Sequence, residues 1–455
     1  MKALSLARTM RRRIVLLALP NILSNITVPL LSLVDVGLAG HTPEGKTAIG
    51  AVAVASGVVS TLYWLFGFLR MGTTGFVAQC FGARDLKQIN QHLAQGLSLA
   101  LLSGLLLLLA TPLVSLFVRL MAQDQLAIAA SAQRYVSIAL CGAPAAMLLY
   151  VLNGWFIGMQ NTRIPMIGAI SINLINIVLS ALFVQIPGWG VEGLALGTII
   201  AQYVGVLLLG LLAVWRYGRV LRHFCWRDLF RLRRRKGYFS TQRDLFIRSA
   251  LLSAVTLFFT YASTSYGEEV VAANTLLLQF FHLFSYFMDG FAYAGEALTG
   301  RYVGMQRRDL VQMLVRQLFS FGWPLAVLTS LLYLLVPSPL LHLLSDSPEV
   351  VAVALRWVPY IAFVPLLGFA AFLWDGVFVG ATYARGLRTS MLLASALFFG
   401  LYYLSRASWG VAALWISFDL YLAARGIVQW RLWRRYRPSL LEPITLGRPK
   451  SLPFP

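Results

Sequence analysis

The sequence predicts an all-α polytopic membrane protein, with twelve transmembrane helices in two six-helix lobes related by pseudo-twofold symmetry along the membrane normal. Three observations support this prediction: the composition, the recurrence of apolar segments and an internal repeat. Of the 455 residues, 58% are hydrophobic and only 12% are charged. Soluble domains carry about 25% charged residues, so the composition excludes an ordinary soluble protein.

Apolar segments long enough to cross a bilayer recur along the chain. A helix needs about 20 apolar residues to span a hydrocarbon core of roughly 30 Å. We predict twelve spans, over residues 14–39, 47–69, 93–118, 132–157, 164–186, 191–215, 246–266, 269–299, 314–336, 351–380, 387–405 and 409–430.

The sequence repeats itself at an offset of 222 residues. NGWFIGMQNTR (153–163) aligns with DGVFVGATYAR (375–385), so that Gly154 falls on Gly376. The same shift aligns positions in several other spans. Because each half has an even number of spans, both halves enter the membrane in the same sense. Such parallel repeats favour a transporter that works by alternating access, although a channel could use the same symmetry.

The repeat also predicts how the chain is divided. We expect an N-terminal lobe over residues 1–215 and a C-terminal lobe over 246–435. A basic cytoplasmic linker over 216–245 joins them, and a disordered cytoplasmic tail follows over 436–455.

The net charge of +21 lies mostly on one side of the predicted membrane. With the N-terminus in the cytoplasm, about 32 of the 38 Lys and Arg residues fall on cytoplasmic ends or loops. Membrane proteins carry such an excess on cytoplasmic loops, so we expect both termini inside. The basic clusters then lie against anionic lipid head groups, and no nucleic-acid partner is expected.

Five acidic residues fall within predicted spans: Asp35, Asp289, Glu296, Asp375 and Asp419. A carboxylate at the centre of a bilayer costs roughly 3 kcal/mol, so each needs a compensating reason. It binds a proton, a cation or a cationic substrate, or else it holds helices together. The role of Asp419 stays open, because Arg425 follows six residues later on the same helix and could pair with it.

Asp35 lies on a helix that is predisposed to bend. Pro20 and Pro29 each remove a backbone donor, and two glycines follow Asp35 at positions 37 and 40. The charged and neutral forms of a carboxyl prefer different surroundings, so a proton on Asp35 can be coupled to a bend at this hinge. The prolines could also be kinks that serve packing alone.

Asn173 and Asn176 lie three residues apart on the fifth span and share a face. An amide inside a span needs hydrogen-bond partners. A network with Asp35 is one interpretation, and simple contact between helices is the other.

Four segments together resemble the multidrug and toxic compound extrusion (MATE) family. They are PNILSNITVPLLSLVDVGLAGH (20–41), LRMGTTGFVAQCFGARD (69–85), DGFAYAGEALTG (289–300) and WDGVFVGATYARGLRTSM (374–391). The last two are similar to second-lobe segments of its DinF branch. In order, the resemblance covers residues 12–435, which is nearly the whole chain.

The resemblance implies a bacterial inner-membrane antiporter, usually monomeric, that expels drug-like cations against an inward flow of protons or sodium ions. The family's ion-linked network in the first lobe matches Asp35, Tyr135, Asn176, Ser180 and Thr198. The resemblance implies no cofactor and no resident metal ion.

Two departures from the family pattern bear on the coupling ion. Ser180 stands where the family has a second Asp. Some members bind a cation between acids on helices seven and ten; Asp375 matches the second of these, but helix seven has no acid. A sodium site wants several oxygen ligands, whereas a proton needs one titratable group, so we expect proton coupling at Asp35.

The repeat does not pair the acids of the two halves, because Asp35 falls on Leu257. We therefore expect substrate binding or gating, instead of proton binding, from Asp289, Glu296 and Asp375 in the second lobe.

Four other functions compete with a proton-coupled exporter. They are a sodium-coupled antiporter, a lipid-linked saccharide flippase of the same superfamily, a channel and a membrane-embedded enzyme. A flippase needs a basic cavity, and Arg70 is the only basic residue that we place well inside a span. The sequence has no HExxH, GxSxG or GxGD motif, so we expect no enzyme.

Overall fold

The computed structural model describes residues 2–41, 45–121, 125–186, 188–229 and 236–436. Its α-helices, in chain order, are α1 (Lys2–Gly40), α2 (Lys46–Leu65), α3 (Phe68–Gly82), α4 (Leu86–Leu109), α5 (Thr111–Met121), α6 (Leu126–Ala139), α7 (Ala143–Gly158), α8 (Arg163–Val184), α9 (Gly190–Leu221), α10 (Lys236–Ser263), α11 (Glu268–Gly304), α12 (Arg308–Leu335), α13 (Pro337–His342), α14 (Pro348–Gly380), α15 (Ala384–Trp409) and α16 (Val411–Tyr436). Short 3₁₀ turns cover Leu140–Gly142, Trp226–Leu229 and Thr264–Tyr266.

The predicted all-α fold is confirmed. Within the described residues, twelve segments are long and apolar enough to cross a membrane. Ten of them are based on single helices, whereas α2 with α3, and α6 with α7, each form one interrupted span.

Three predicted boundaries differ from the structure. The span 93–118 is interrupted, since α4 ends at Leu109 and α5 begins at Thr111, next to Pro112. Pro112 has no N–H group for the carbonyl of Leu108, four residues earlier, and its ring clashes with that carbonyl, which accounts for the break. The helices α9 and α10 extend into both ends of the predicted linker 216–245. Of the predicted tail 436–455, Tyr436 ends α16 and the rest lies outside the described residues.

The internal repeat is visible in the backbone. Arg84 and Gln306 both have a φ of 57°, and they lie 222 residues apart. Gln160, with a φ of 63°, and Thr382, with a φ of 54°, lie at the same offset. Non-glycine residues seldom adopt this left-handed conformation, which here follows a helix end in each case. The two halves therefore share their helix terminations in register.

Close helix packing repeats in the same way. A Cβ on Gly154 would lie 2.5 Å from the backbone oxygen of Arg70, so α7 and α3 approach too closely for a larger residue. Gly376 would clash in the same way with the backbone oxygen of Ala292, on α14 and α11. Both residues of the second contact follow those of the first by 222 positions. Small residues permit this kind of contact in membrane proteins.

The described chain forms two compact units. One contains residues 23–238, and the other contains residues 2–22 and 239–436. The chain passes from one unit to the other inside α1, after Ile22, and near the start of α10, after Tyr238. The first part of α1 therefore packs with the second half of the sequence.

Each unit has its own apolar core. In the unit of residues 23–238, α1, α2, α6 and α9 contribute buried residues that include Ala39, Val52, Tyr135 and Leu194. In the other unit the core is rich in aromatic residues, among them Phe259, Phe281, Trp415 and Phe418. These cores fix which faces of the helices turn inward and so where the polar side chains lie.

Candidate functional site

Asp35 lies on the part of α1 that belongs to the unit of residues 23–238. Its side chain is half-buried. The Oδ1 atom is buried, and among the residues that the structure describes no group donates a hydrogen bond to it. Ala39, one turn later, packs into the core of this unit and fixes the face that Asp35 presents. The carboxyl is thus held inside the unit, and its Oδ1 is an acceptor that no described group uses.

Tyr135 brings a hydroxyl group towards this carboxyl. It lies on α6, is 4% exposed, and interacts electrostatically with Asp35. The Tyr135 hydroxyl also interacts with the side chain of Thr198 on α9. The side chain thus connects α1 with α9.

Asn176 and Ser180 continue this chain of polar groups on α8. The amide of Asn176 donates to Thr198 Oγ1 at 2.9 Å, and the hydroxyl of Ser180 donates to Asn176 Oδ1 at 3.3 Å. Helices α8 and α9 can approach this closely because residue 197 is a glycine, where a Cβ would lie 2.6 Å from Ser180 Oγ. The four side chains named by the family resemblance beside Asp35 therefore do lie together.

The direction of each hydrogen bond follows from the number of protons available. Thr198 donates its single hydroxyl proton to the carbonyl of Leu194, at 3.0 Å. Its oxygen accepts from Asn176 and can accept once more, so a hydroxyl such as that of Tyr135 can donate to it. The Tyr135 oxygen keeps an acceptor position. A protonated Asp35 can donate to such an acceptor, whereas an ionised Asp35 cannot.

Asn173 has a different partner from Asn176. Its amide donates to Thr27 Oγ1 on α1 at 2.8 Å, and Thr27 donates to the carbonyl of Ser24. Thr27 lies between Pro20 and Pro29, so this bond ties α8 to the stretch of α1 between the two prolines. Of the two interpretations of the asparagine pair, contact between helices describes Asn173, and the network describes Asn176.

Asp375 occupies a saturated ionic cluster in the other unit. Its Oδ2 accepts from Arg248 on α10 and from Arg425 on α16, the latter at 2.9 Å. Its Oδ1 accepts from Gln429 at 2.6 Å. Asp375 is 6% exposed, and Arg425 and Gln429 are each 1% exposed. A buried carboxylate with these three donors holds α10, α14 and α16 together.

One expectation from the sequence is wrong here, and one possibility that the sequence left open is not realised. Arg70 is not the only basic residue well inside a span, because Arg425 is fully buried. Arg425 also does not pair with Asp419, since its guanidinium binds Asp375. The reason is that α16 turns Arg425 towards α14, and two residues six positions apart on one helix do not face each other.

Asp289 and Glu296 lie on α11. Glu296 is 2% exposed, whereas Asp289 is half-buried and interacts electrostatically with Tyr286. Asp375 takes its hydrogen bonds from α10 and α16, so those bonds do not join the three second-lobe acids into one site.

The sequence reasoning missed the residues of helix α10 that pair with acids. Arg248 lies at the start of the predicted span 246–266 and was not proposed as the partner of an acid. Asp244, one turn earlier, is 1% exposed and binds Arg388 on α15 at 2.7 Å. The four-residue spacing of Asp244 and Arg248 put both on one face of a helix, which was a signal that this face is buried.

Comparison with known proteins gives consistent matches over most of the chain. The model of the MatE family matches residues 20–182 and again residues 245–404. DNA damage-inducible protein F of Escherichia coli strain K12 is 36% identical over 428 residues, which are 92% of this chain and 91% of that protein. The probable multidrug resistance protein NorM of Thermotoga maritima is 24% identical over 359 residues, 76% of this chain and 74% of that protein.

Solved structures show the same fold. An outward-facing multidrug resistance MATE family transporter of the MOP superfamily superposes with a TM-score of 0.85 at 19% identity, over 95% of this chain and 97% of the other. A MATE protein in its bent conformation and one in its straight conformation both give 0.82 at 19% identity, over 95% of this chain and 98% and 97% of theirs.

Proposed function

The chain belongs to the MatE family, and from this premise we propose that it exports cationic or amphipathic drug-like compounds in exchange for protons. It is a multi-pass membrane transporter, and the membrane-embedded enzyme and the channel are therefore set aside. Because its relatives include a protein named for multidrug resistance, drug-like compounds are the substrate class that we propose.

The observation that supports proton coupling is the Oδ1 of Asp35, which has no hydrogen-bond donor among the described residues and belongs to a carboxyl that interacts with Tyr135. One carboxyl group, surrounded by hydroxyl and amide groups, can bind a proton. A sodium ion requires several oxygen ligands and is favoured by more than one carboxylate. Here Ser180 stands where a second carboxylate would be, and its hydroxyl already donates to Asn176. Proton coupling is therefore favoured over the sodium-coupled alternative.

The coupling follows from the two forms of Asp35. A proton from outside neutralises the carboxyl and allows it to donate to Tyr135, which draws this part of α1 towards α6. Loss of the proton restores a charge that attracts a cationic substrate. Pro20 and Pro29 have no backbone N–H group, so α1 lacks two helical hydrogen bonds and can bend here as the contact of Asp35 with Tyr135 changes. Proton and substrate thus bind to different states of the same helix.

The same charge argument bears on the flippase alternative. A lipid-linked saccharide carries phosphate groups and would require basic residues that are free to bind them. The buried Arg425 is instead engaged by Asp375. A carboxyl without an ionic partner suits a cationic substrate, so export of cations is favoured.

The proposal includes the location of the protein. We propose a monomer in the bacterial inner membrane with both termini in the cytoplasm, where its basic residues face anionic lipid head groups. The excess of Lys and Arg on that side and the Escherichia coli relative support this arrangement.

Dye accumulation in cells tests the proposal. Cells that express the protein should accumulate less ethidium than control cells, and a protonophore should abolish the difference. Asp35→Asn removes the titratable group while it keeps the size of the side chain, so export should be lost. Asp309→Asn, at an exposed ion pair with Arg307, is the matched control and should export normally. Normal export by Asp35→Asn would contradict the role of Asp35.

A further inference from the structure

Asp419 is a second carboxyl group in an environment that the function above does not use. It lies on α16 and is 7% exposed. Its Oδ1 is buried, and within the described part of the chain no group donates a hydrogen bond to it. A buried charge without a partner is costly, so this carboxyl needs a reason to be there.

The basic residue closest in sequence to Asp419 is already engaged. Arg425 donates to Asp375. Its guanidinium also lies against two aromatic rings, 6.0 Å from the centre of Phe372 and 5.5 Å from that of Tyr421. These contacts stabilise its charge without Asp419.

The register of α14 against α16 puts Asp419 at the level of a proline on α14. A Cβ on Gly368 would contact Leu422 at 3.4 Å, and one on Gly426 would lie 3.1 Å from Ala370. Contacts that advance together along both helices show that α14 and α16 run parallel. The first contact joins residue 368 of α14 to residue 422 of α16. Both helices rise about 1.5 Å per residue, so three residues earlier Pro365 on α14 and Asp419 on α16 lie at about the same level.

Pro365 opens the backbone of α14 at this level. It has no N–H group, so the carbonyl of Ile361 lacks its usual donor within the helix. A neighbouring carbonyl, that of Ala362, already accepts a hydrogen bond from the hydroxyl of Ser330 on α12. At this level a carbonyl of α14 therefore accepts a hydrogen bond from another helix. A protonated carboxyl is such a donor, whereas a carboxylate only accepts.

We propose that Asp419 is a second proton-binding site, whose protonated form donates to the backbone that Pro365 opens in α14. The ionised form cannot make this bond and is repelled by the carbonyl oxygens, so the shape of α14 depends on the proton. Its use in export rests on the proton-coupled function proposed above, but its titration does not.

Most of the other ionisable groups on the helices around Asp419 either have ionic partners or differ from a carboxyl in acid strength. Arg248 binds Asp375, and Asp244 binds Arg388. A phenol hydroxyl is a much weaker acid than a carboxyl group. The tyrosines of these helices are Tyr238 and Tyr261 on α10, Tyr286, Tyr293 and Tyr302 on α11, Tyr360 on α14, Tyr402 and Tyr403 on α15, and Tyr421 and Tyr436 on α16. The other charged residues of these helices are Lys236 and Arg243 on α10, Glu268, Glu269, Asp289, Glu296 and Arg301 on α11, Glu349 and Arg356 on α14, Arg385 and Arg406 on α15, and Arg431, Arg434 and Arg435 on α16.

His282 on α11 is the group that could imitate Asp419 in a titration. It follows Phe281, whose ring packs against that of Phe418, the residue before Asp419. A histidine titrates near neutral pH, so it needs its own control. Its imidazole has no carbonyl group, which makes infrared spectroscopy the suitable method.

The experiment records infrared difference spectra of the purified full-length protein in lipid nanodiscs between acid and alkaline pH. A carboxyl that titrates contributes a C=O band at acid pH that disappears at alkaline pH. Asp419→Asn should lose one such band that the wild type shows, and Asp35→Asn should lose a different one. His282→Gln should keep both bands, because it removes no carboxyl.

The results separate the two sites. The inference about Asp419 is overturned if Asp419→Asn shows the same titrating bands as the wild type. It is also overturned if the C=O band of Asp419 in the wild type does not change with pH. If Asp35→Asn alone loses no band, the proposed function fails while Asp419 stands. Should Asp419→Asn not fold, Asp419→Glu keeps a carboxyl and should shift the same band; an unshifted spectrum of the folded variant would again reject the site.

Discussion

Asp35 and Asp375 are both carboxyl groups within apolar helices, yet their surroundings give them different roles. Asp375 accepts hydrogen bonds from Arg248, Arg425 and Gln429, which fill three of its about four acceptor positions and balance its charge. Asp35 has a buried oxygen with no donor among the described residues, and it interacts with the hydroxyl of Tyr135. At the residue scale, the number of donors separates a group that stabilises the fold from a group that can exchange a proton.

Loss of the Asp375 charge should destabilise the protein. Asp375→Asn leaves the buried guanidinium of Arg425 and the partly buried one of Arg248 without their carboxylate, and removing one partner of a buried ion pair costs about 3–5 kcal/mol. We expect a clear drop in the melting temperature of the purified protein. Asp309→Asn breaks an exposed pair with Arg307 and should leave the melting temperature nearly unchanged. Equal melting temperatures for the two variants would contradict the assignment of Asp375 to the fold.

Thr198 is the junction of the first-lobe chain of hydrogen bonds. Thr198→Val keeps the shape but removes the oxygen that accepts from Asn176 and interacts with Tyr135. A buried donor left without a partner costs about 1–3 kcal/mol, so the melting temperature should fall. The pH dependence of export should also change, because Tyr135 is then free to donate to Asp35.

Thr329 on α12 provides the control for this prediction. Its hydroxyl donates to the carbonyl one turn earlier, that of Leu325, at 2.9 Å, as Thr198 does to Leu194 at 3.0 Å. Thr329→Val should therefore leave the pH dependence of export as it is in the wild type. If Thr198→Val has the pH profile of the wild type, the hydrogen bonds that meet at Thr198 do not influence the proton site.

At the scale of a single element, α1 is the helix that the proposed coupling requires to bend. It is continuous through Pro20 and Pro29, and the bond from Asn173 to Thr27 holds the stretch between them against α8. Pro29→Ala restores a backbone donor and should stiffen this stretch. We expect slower export with the titration of Asp35 preserved.

Measurement of the export rate and of the Asp35 infrared band in the same variant separates these effects. Pro324→Ala in α12 is the matched control, since Pro324 also lies inside a long helix but belongs to the other unit. Faster or unchanged export by Pro29→Ala, together with a slower Pro324→Ala, would contradict a hinge in α1.

The helices themselves were the most predictable elements, because a bilayer demands long apolar segments whatever their partners. The twelve spans follow from this demand. The interruptions did not follow from it: α2 passes into α3 around Phe66 and Gly67, and α6 passes into α7 through the turn Leu140–Gly142. Such breaks depend on which helices pack alongside, and hydropathy carries no information about those neighbours.

At the scale of the whole molecule, the two halves share a backbone plan but not a polar chemistry. Residues 222 apart adopt the same left-handed conformation, as Arg84 and Gln306 do. The same shift pairs Asp35 with Leu257 and Thr198 with Leu420. The repeat thus specifies the shape of both halves, and each half then carries its own buried polar groups.

The acids inside the spans could be predicted because charge in a membrane is rare. Their partners could not, since those come from distant parts of the chain: Arg248 and Asp375 are 127 residues apart. The family resemblance supplied Tyr135, Asn176, Ser180 and Thr198, which the structure brings together. It supplied no partner for Asp375, because the predicted span 246–266 has no acid.

The central claim, proton-coupled export through Asp35, is tested most directly in liposomes that contain the purified protein. Uptake of ethidium into the lumen of the vesicles is measured with a proton gradient and no sodium, and separately with a sodium gradient at equal pH. We predict that the proton gradient drives transport by the wild type, that the sodium gradient does not, and that Asp35→Asn responds to neither. Transport driven by sodium alone, or proton-driven transport by Asp35→Asn, would contradict the claim.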